Sequence, residues 1–133
     1  MKTNAVSAVI LKTQDGILLV KRKYEPGAGS LTLPGGYIEK YETWQEGSCR
    51  EINEELNLKI KPHNLSLFGI ETSPISGNLI IFSICNEIID VNQITLSEEL
   101  LDFEIFQSSV DKLNLTFKTH EKAIKDYIDG FSG

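Results

Sequence analysis

The order of elements predicts an α/β fold in which a mixed sheet lies between helices. Three observations carry this reading. Apolar or alternating segments bounded by turn residues fill most of the chain, one amphipathic helix interrupts them after residue 43, and a second helix closes the chain. Ala5 to Leu11 reads as a strand. Asp15-Gly16 marks a turn, and Ile17 to Lys23 returns as the second arm of a hairpin, with Leu18 and Val20 on one face. Tyr24 to Ser30 is a loop by its Pro and Gly content. Leu31 to Leu33 is a short strand that runs into the turn Pro34-Gly35-Gly36. Leu65 to Glu71 and Leu79 to Asn86 are further strands on either side of a turn at Pro74 to Asn78. The second of them is apolar nearly throughout, as a central strand is. Leu101 to Phe106 is a shorter, later strand. Thr119 is placed to cap the last helix, with Ala123, Ile124, Tyr127 and Ile128 on its buried side and Gly130 at its end. There is no repeat, low-complexity segment or linker, so one domain over residues 1–133 is expected.

The mid-chain helix has the clearest local signals. Thr43 and Glu46 form a T-x-x-E capping box, and the helix should run to about Leu56. At 100° per residue, Cys49, Ile52 and Leu56 fall on one arc with Ser48 at its edge, while Gly47, Arg50, Glu51, Glu54 and Glu55 fall on the other side. Glu51, Glu54 and Glu55 stand at i, i+3 and i+4, so their carboxylates crowd one turn. Such a group needs positive charge in its midst. Hard oxygen ligands at this density suit a divalent cation such as Mg²⁺, which keeps several waters and shares a phosphate with the protein. Arg50 and Glu54 form an i, i+4 pair through which the arginine can hold the acids in register. A solvated acidic face on an ordinary surface helix is the competing explanation of the three glutamates taken alone.

The wider pattern separates the two. Gly36, then Glu42, then Arg50-Glu51, apolar Ile52, Glu54-Glu55 and apolar Leu58 stand at fixed spacing. Average residue frequencies match these eight positions by chance in on the order of one chain in a million of this length. The pattern resembles the Nudix box. Leu33-Pro34-Gly35-Gly36 before it and Glu39 within it are similar to the family as well. Two positions depart from the common form. Asn57 stands where family members usually carry glycine, at a helix end that wants a left-handed backbone, and asparagine is the next most tolerant residue there. Tyr41 stands where glycine is common before Glu42, and is expected to narrow or line the loop. Neither change removes an acidic group.

The resemblance implies an α/β/α sandwich and hydrolysis of the diphosphate bond in a nucleoside diphosphate linked to a further group X. It implies Mg²⁺ as cofactor, with Mn²⁺ as a substitute. By position, Glu51, Glu54 and Glu55 would be metal ligands and the backbone carbonyl of Gly35 a further one. Arg50 would orient Glu51, Gly36 would shape the turn, and Glu42 would support the helix end and the arginine. Glu51 is the first choice of general base, while a loop carboxylate, Glu98 or Glu99, is the alternative. Substrate contacts lie outside the box: Arg22, Lys23, Tyr24 and Tyr41 are candidates, as are Glu98 and Glu99. Phe82 and Phe106 read as core rather than base-stacking residues, and Trp44 either borders the site or staples the helix to the sheet. His120, in the first turn of the last helix, reads as a surface or capping residue, and His63 beside Pro62 as an exposed loop residue. The substrates implied divide between nucleoside triphosphates and ADP-ribose-like compounds. Small ADP-ribose-pyrophosphatase-like members show the nearer likeness. A non-catalytic nucleotide sensor on the same fold is the other class, disfavoured because every box carboxylate is present.

Composition narrows the partners. The net charge of -6 gains little from counterion release, so long DNA or RNA is not an expected ligand. A small phosphorylated nucleotide derivative is, because a bound cation reverses the local charge. Cys49 and Cys85 sit in apolar settings and read as reduced core thiols of a cytoplasmic protein. The first apolar stretch is too short for a signal peptide and is broken by Lys12 and Asp15, and no run approaches membrane-spanning length. The resemblance also allows a homodimer.

Overall fold

The computed structural model describes residues 2–108 and 112–132. Strands β1 (Lys2–Thr13), β2 (Ile17–Arg22), β3 (Leu31–Thr32) and β4 (Tyr37–Glu39) precede helix α1 (Trp44–Leu56). Strands β5 (Leu65–Thr72), β6 (Leu79–Ile89) and β7 (Leu100–Phe106) follow it, and helix α2 (Lys118–Ser132) comes last. The sheet runs β3-β2-β1-β6-β5, with β4 paired to β1 and β7 to β2. β1 and β6 are parallel and the other pairs antiparallel, so the sheet is mixed as expected.

Alternation along the strands builds two cores. Ala8, Ile10, Ile17, Leu19, Phe82 and Ile84 face α2 and pack with Ala123 and Ile124. Val9, Leu11, Leu18, Val20 and Cys85 face α1 and pack with Ile52 and Leu56. β1 is therefore apolar on both faces through its middle, as a strand covered on both sides must be. Phe82 and Phe106 are core residues, and both cysteines are free thiols.

Two features position the site. First, β1 and β2 meet beside their turn, at Lys12 and Ile17. Farther along, the segment 31–36 is inserted between them. Leu31 and Thr32 pair with β2, and then the carbonyls of Pro34 and Gly36 accept from Val9 N (2.9 Å) and Ser7 N (2.7 Å) of β1. A side chain on Gly35 would collide with the Ser7 carbonyl, which is why glycine is required there. Second, the C-terminal end of α1 is tied to the loop before β7. Leu56 O accepts from Thr95 N (3.1 Å) and Glu55 O from Ser97 N (2.9 Å). Two carbonyls that the helix cannot satisfy itself are thereby paired.

The structure departs from the sequence reading at several points. β1 extends to Lys2 and Thr13 because β4 and β6 offer it backbone partners beyond its apolar stretch. β4 itself had no periodic signal and exists by pairing with β1. α2 begins at Lys118, so Thr119 lies inside the helix rather than capping it, and Gly130 is also internal. On α1, Gly47 and Glu55 are buried rather than exposed, since segment 34–42 covers that flank. A Cβ on Gly47 would lie 2.9 Å from Glu42 Oε1 and 3.2 Å from Ile38 Cγ2.

Asn57 closes α1 in the left-handed conformation (φ 57°, ψ 33°), and its amide donates to Thr95 O at 2.6 Å. Glycine would make the turn freely but lose that bond, so Asn57→Gly is expected to change stability by no more than about 0.5 kcal/mol. Asn57→Ala keeps neither advantage and is expected to lose about 1–2 kcal/mol in urea denaturation.

Candidate active site

The capping box fixes where α1 starts. Thr43 Oγ1 accepts from Glu46 N (3.0 Å) and Glu46 Oε1 from Thr43 N (2.9 Å). One turn later Arg50 gathers the acids around it. Its Nε and Nη2 grip Glu42 at 2.7 and 3.0 Å, its Nη1 reaches Glu51 at 2.9 Å and Glu54 at 3.1 Å, and its Nη2 also donates to Tyr37 O at 2.9 Å. The guanidinium fork thus joins the helix to β4, which a lysine point charge could not do at so many places.

The same arginine leaves its acids in different states. Its hydrogen bonds hold Glu42 below the usual carboxylate range, helped by Glu39 N. Burial instead pushes Glu51 up, against the single bond it receives from Arg50, with the charges of Glu54 and Glu99 adding to the rise. The two side chains are almost equally accessible (18% and 16%), so the number of bonds to the carboxylate and the depth of Glu51 beneath the surface decide between them. Glu55 is 9% exposed and accepts from Gly35 N at 2.8 Å. Burial, reinforced by Glu51 and Glu99, pushes it up to about 8. Gly36 lies against Glu51 so closely that a Cβ there would overlap its carboxylate.

Glu51, Glu55, Gly35 and Gly36 line a cleft of about 790 Å³. Arg22, Lys23, Tyr24 and Glu99 line it too. Glu54 is half exposed beside Arg50 and lies outside that lining, as does Glu98. Tyr41 is 92% exposed, with positive φ (73°) and Lys40 over its ring. It does not line the cleft. The glycine common at its place is explained by the backbone rather than by the loop's width. Trp44 packs on the α1 core, so it staples the helix, and His63 is exposed.

Two contributors had no local signal. Tyr37 on β4 reaches the cleft by strand pairing, and His120 lies in it nine-tenths buried, not on the surface. His120 Nδ1 meets Thr32 Oγ1 at 2.8 Å and Leu33 N at 3.3 Å, and burial holds the ring down to about 4. A histidine at i+3 from Phe117 is the one clue, since the two rings meet at 5.1 Å, tilted by 58°.

The acids offer only hard oxygen donors, which fits a divalent cation better than a soft metal. Among the described residues no three His, Cys, Asp or Glu groups are already gathered into a metal cage. Arg50 draws Glu51 and Glu54, while the backbone draws Glu55. Mg²⁺ asks for few protein ligands plus water and phosphate, so a full cage is not required of the donors.

A NUDIX domain model matches residues 1–127. The chain is 35% identical over 125 residues to an ADP-ribose pyrophosphatase of Methanocaldococcus jannaschii, covering 90% of this chain and 69% of that one. The NUDIX domain of Shewanella oneidensis NrtR, crystallised with ADP ribose, superposes with TM-score 0.79 at 16% identity, covering 96% of this chain and 87% of the other. A bifunctional NMN adenylyltransferase/ADP ribose pyrophosphatase of Francisella tularensis, complexed with AMP and a Mn ion, gives 0.76 at 20% identity, covering 98% of this chain and 42% of that one. The chain belongs to the Nudix family of hydrolases, which act on pyrophosphate bonds of nucleotide derivatives.

Two outcomes follow from the site's electrostatics. An acid raised by burial stabilises the fold fully below its unfolded value of 4.5 and loses that contribution as pH climbs through about 8. In EDTA the melting temperature should therefore fall between pH 5.5 and 8.5, by roughly 5 °C. Glu55→Gln should flatten that slope. Arg50→Ala leaves Glu42 and Glu51 unpaired and is expected to cost about 3 kcal/mol in chemical denaturation, with Arg50→Lys recovering less than half.

Proposed function

We propose that this chain hydrolyses the pyrophosphate bond of ADP-ribose or a closely similar nucleoside diphosphate derivative, with Mg²⁺, or Mn²⁺ in its place, held by Glu51, Glu54, Glu55 and the Gly35 carbonyl. The observation that carries the reading is the placement of Glu51 and Glu55 in one cleft with the glycine turn, both tied to Arg50 or to that turn's backbone. The 35% identical archaeal pyrophosphatase supports the choice of ADP-ribose over nucleoside triphosphates. When bound, such a cation neutralises pyrophosphate oxygens and lowers the pKa of coordinated water.

The chain's own residues do the rest. Arg50 keeps the Glu51 carboxylate from swinging, which pre-organises it at no cost during reaction. Glu51, raised by burial, is the group we assign to accept the proton from the attacking water. Glu99, on the loop tethered to the end of α1, faces the same cleft and is the other carboxylate in reach. Glu42 stands behind Arg50 and holds it. Arg22 and Lys23 supply positive charge on the far side of the turn, suited to substrate phosphate, and the exposed ring of Tyr24 borders them. Among the described residues no helix is long and apolar enough to cross a membrane, and with two free thiols we place the protein in the cytoplasm, working as one domain over 1–133.

The test is a panel of nucleoside diphosphate derivatives and triphosphates with 5 mM-range, roughly saturating Mg²⁺. AMP release from ADP-ribose is expected. Glu51→Gln, Glu54→Gln and Glu55→Gln should each lower kcat by about a hundredfold or more. Unchanged turnover in all three would remove the ligand assignment. A loss in Glu99→Gln as large as in Glu51→Gln would move the proton acceptor to the loop. Tight nucleotide binding without any product would favour the sensor reading.

A further inference from the structure

Most polar side chains along the cleft already have protein partners. His120 has one free edge. It sits on α2, across the sheet from the carboxylates of α1, and is 7% exposed. Its Nδ1 faces the Leu33 backbone N–H and the Thr32 hydroxyl. A backbone N–H only donates, so Nδ1 is the bare nitrogen and accepts from both. Burial and the nearby Arg22 charge hold the ring neutral at pH 7, so its one proton sits on Nε2. Among the described residues that Nε2–H has no acceptor. That edge opens on the cleft, where a bound group can reach it. The ring cannot easily turn away, because Phe117 lies 5.1 Å from it at 58° and Phe82 5.5 Å from it at 82°. It lines the same cleft as Glu51 and Glu55.

We propose that His120 is a specificity-determining residue of this cleft, donating its Nε2 proton to an uncharged acceptor on the substrate at the end remote from the pyrophosphate. The inference rests on reading the cleft as a pyrophosphohydrolase site. The acceptor is a hydroxyl or carbonyl oxygen, or an unprotonated ring nitrogen. A fixed neutral donor accepts these, repels a group that presents its own N–H, and gives an anion none of the extra attraction an imidazolium would. The choice of tautomer comes from Leu33, one residue before the Pro34-Gly35-Gly36 turn, so the same backbone segment orients a carboxylate through Gly35 and the histidine through Leu33.

The test has two arms. In ¹⁵N-labelled protein at pH 7, long-range ¹H–¹⁵N spectra of His63 and His120 are expected to show the Nε2–H tautomer for His120. Its ring signals should shift when ADP-ribose is added to the Glu54→Gln protein with Mg²⁺. In kinetics with ADP-ribose, His120→Phe should raise KM about two- to tenfold with kcat within about twofold, and His120→Gln, which can still donate, should lie nearer the parent. A proton on Nδ1, ring signals unmoved at saturating ADP-ribose, or KM equal to the parent's in His120→Phe would each overturn the proposal. So would a fall in kcat at constant KM. Failure of the parent protein to hydrolyse ADP-ribose would count against the proposed function instead, and the spectra would still decide the role of His120.

Discussion

Mutual repulsion among carboxylates is the constraint on which this structure turns. Glu39, Glu42, Glu51 and Glu54 all lie within 4 Å of one guanidinium. Without Arg50 they would move apart into water, and α1 and β4 would lose their common anchor. A planar fork with five donors can serve several acids and the Tyr37 carbonyl at once, and part of its surface is already out of water. The result is an acidic cluster that is rigid yet poised to take up further positive charge. Glu55 shows the cost of that design. It lies beyond the arginine's reach, is satisfied by one backbone N–H, and keeps its proton to about pH 8.

The glycine turn is the mechanical centre of the site. It is threaded between β1 and β2, where its backbone completes the sheet, and the absence of side chains at Gly35 and Gly36 lets β1 and Glu51 approach it. From there it reaches both helices. Gly35 N meets Glu55 on α1, and Leu33 N meets His120 on α2. The two faces of the sandwich, with their separate apolar cores, are thus joined through a few backbone donors. A substrate lying in the cleft would touch groups whose orientation is set by the same short segment.

Much of this was legible in the residues. The Thr43–Glu46 box, the αL cap at Asn57 and the central position of β6 all appear where local rules put them, because each rests on contacts within a few residues or on a run of apolar side chains. The acidic cluster was legible because its spacing is helical, and helical spacing is itself geometry. What escaped was built from long-range contacts. β4 has three residues and no period, so only β1 reveals it. Thr119 looks like a cap, but Phe117 O accepts from His120 N and Glu121 N, and the helix starts at Lys118, two residues earlier than a cap at Thr119 would allow. Tyr41 looks like a lining residue, while its positive φ turns it to solvent.

By itself, the sequence determined the layered architecture, through the order of its elements, and the family and the placing of Arg50 among its acids, through spacing along one helix and one turn. Tertiary structure alone decided which acids burial pushes upward, which residues share the cleft, and that His120, 88 positions from Thr32, is held against it there. Protonation and hydrogen-bond direction depend on burial and on partners brought from distant parts of the chain, and a local pattern encodes neither.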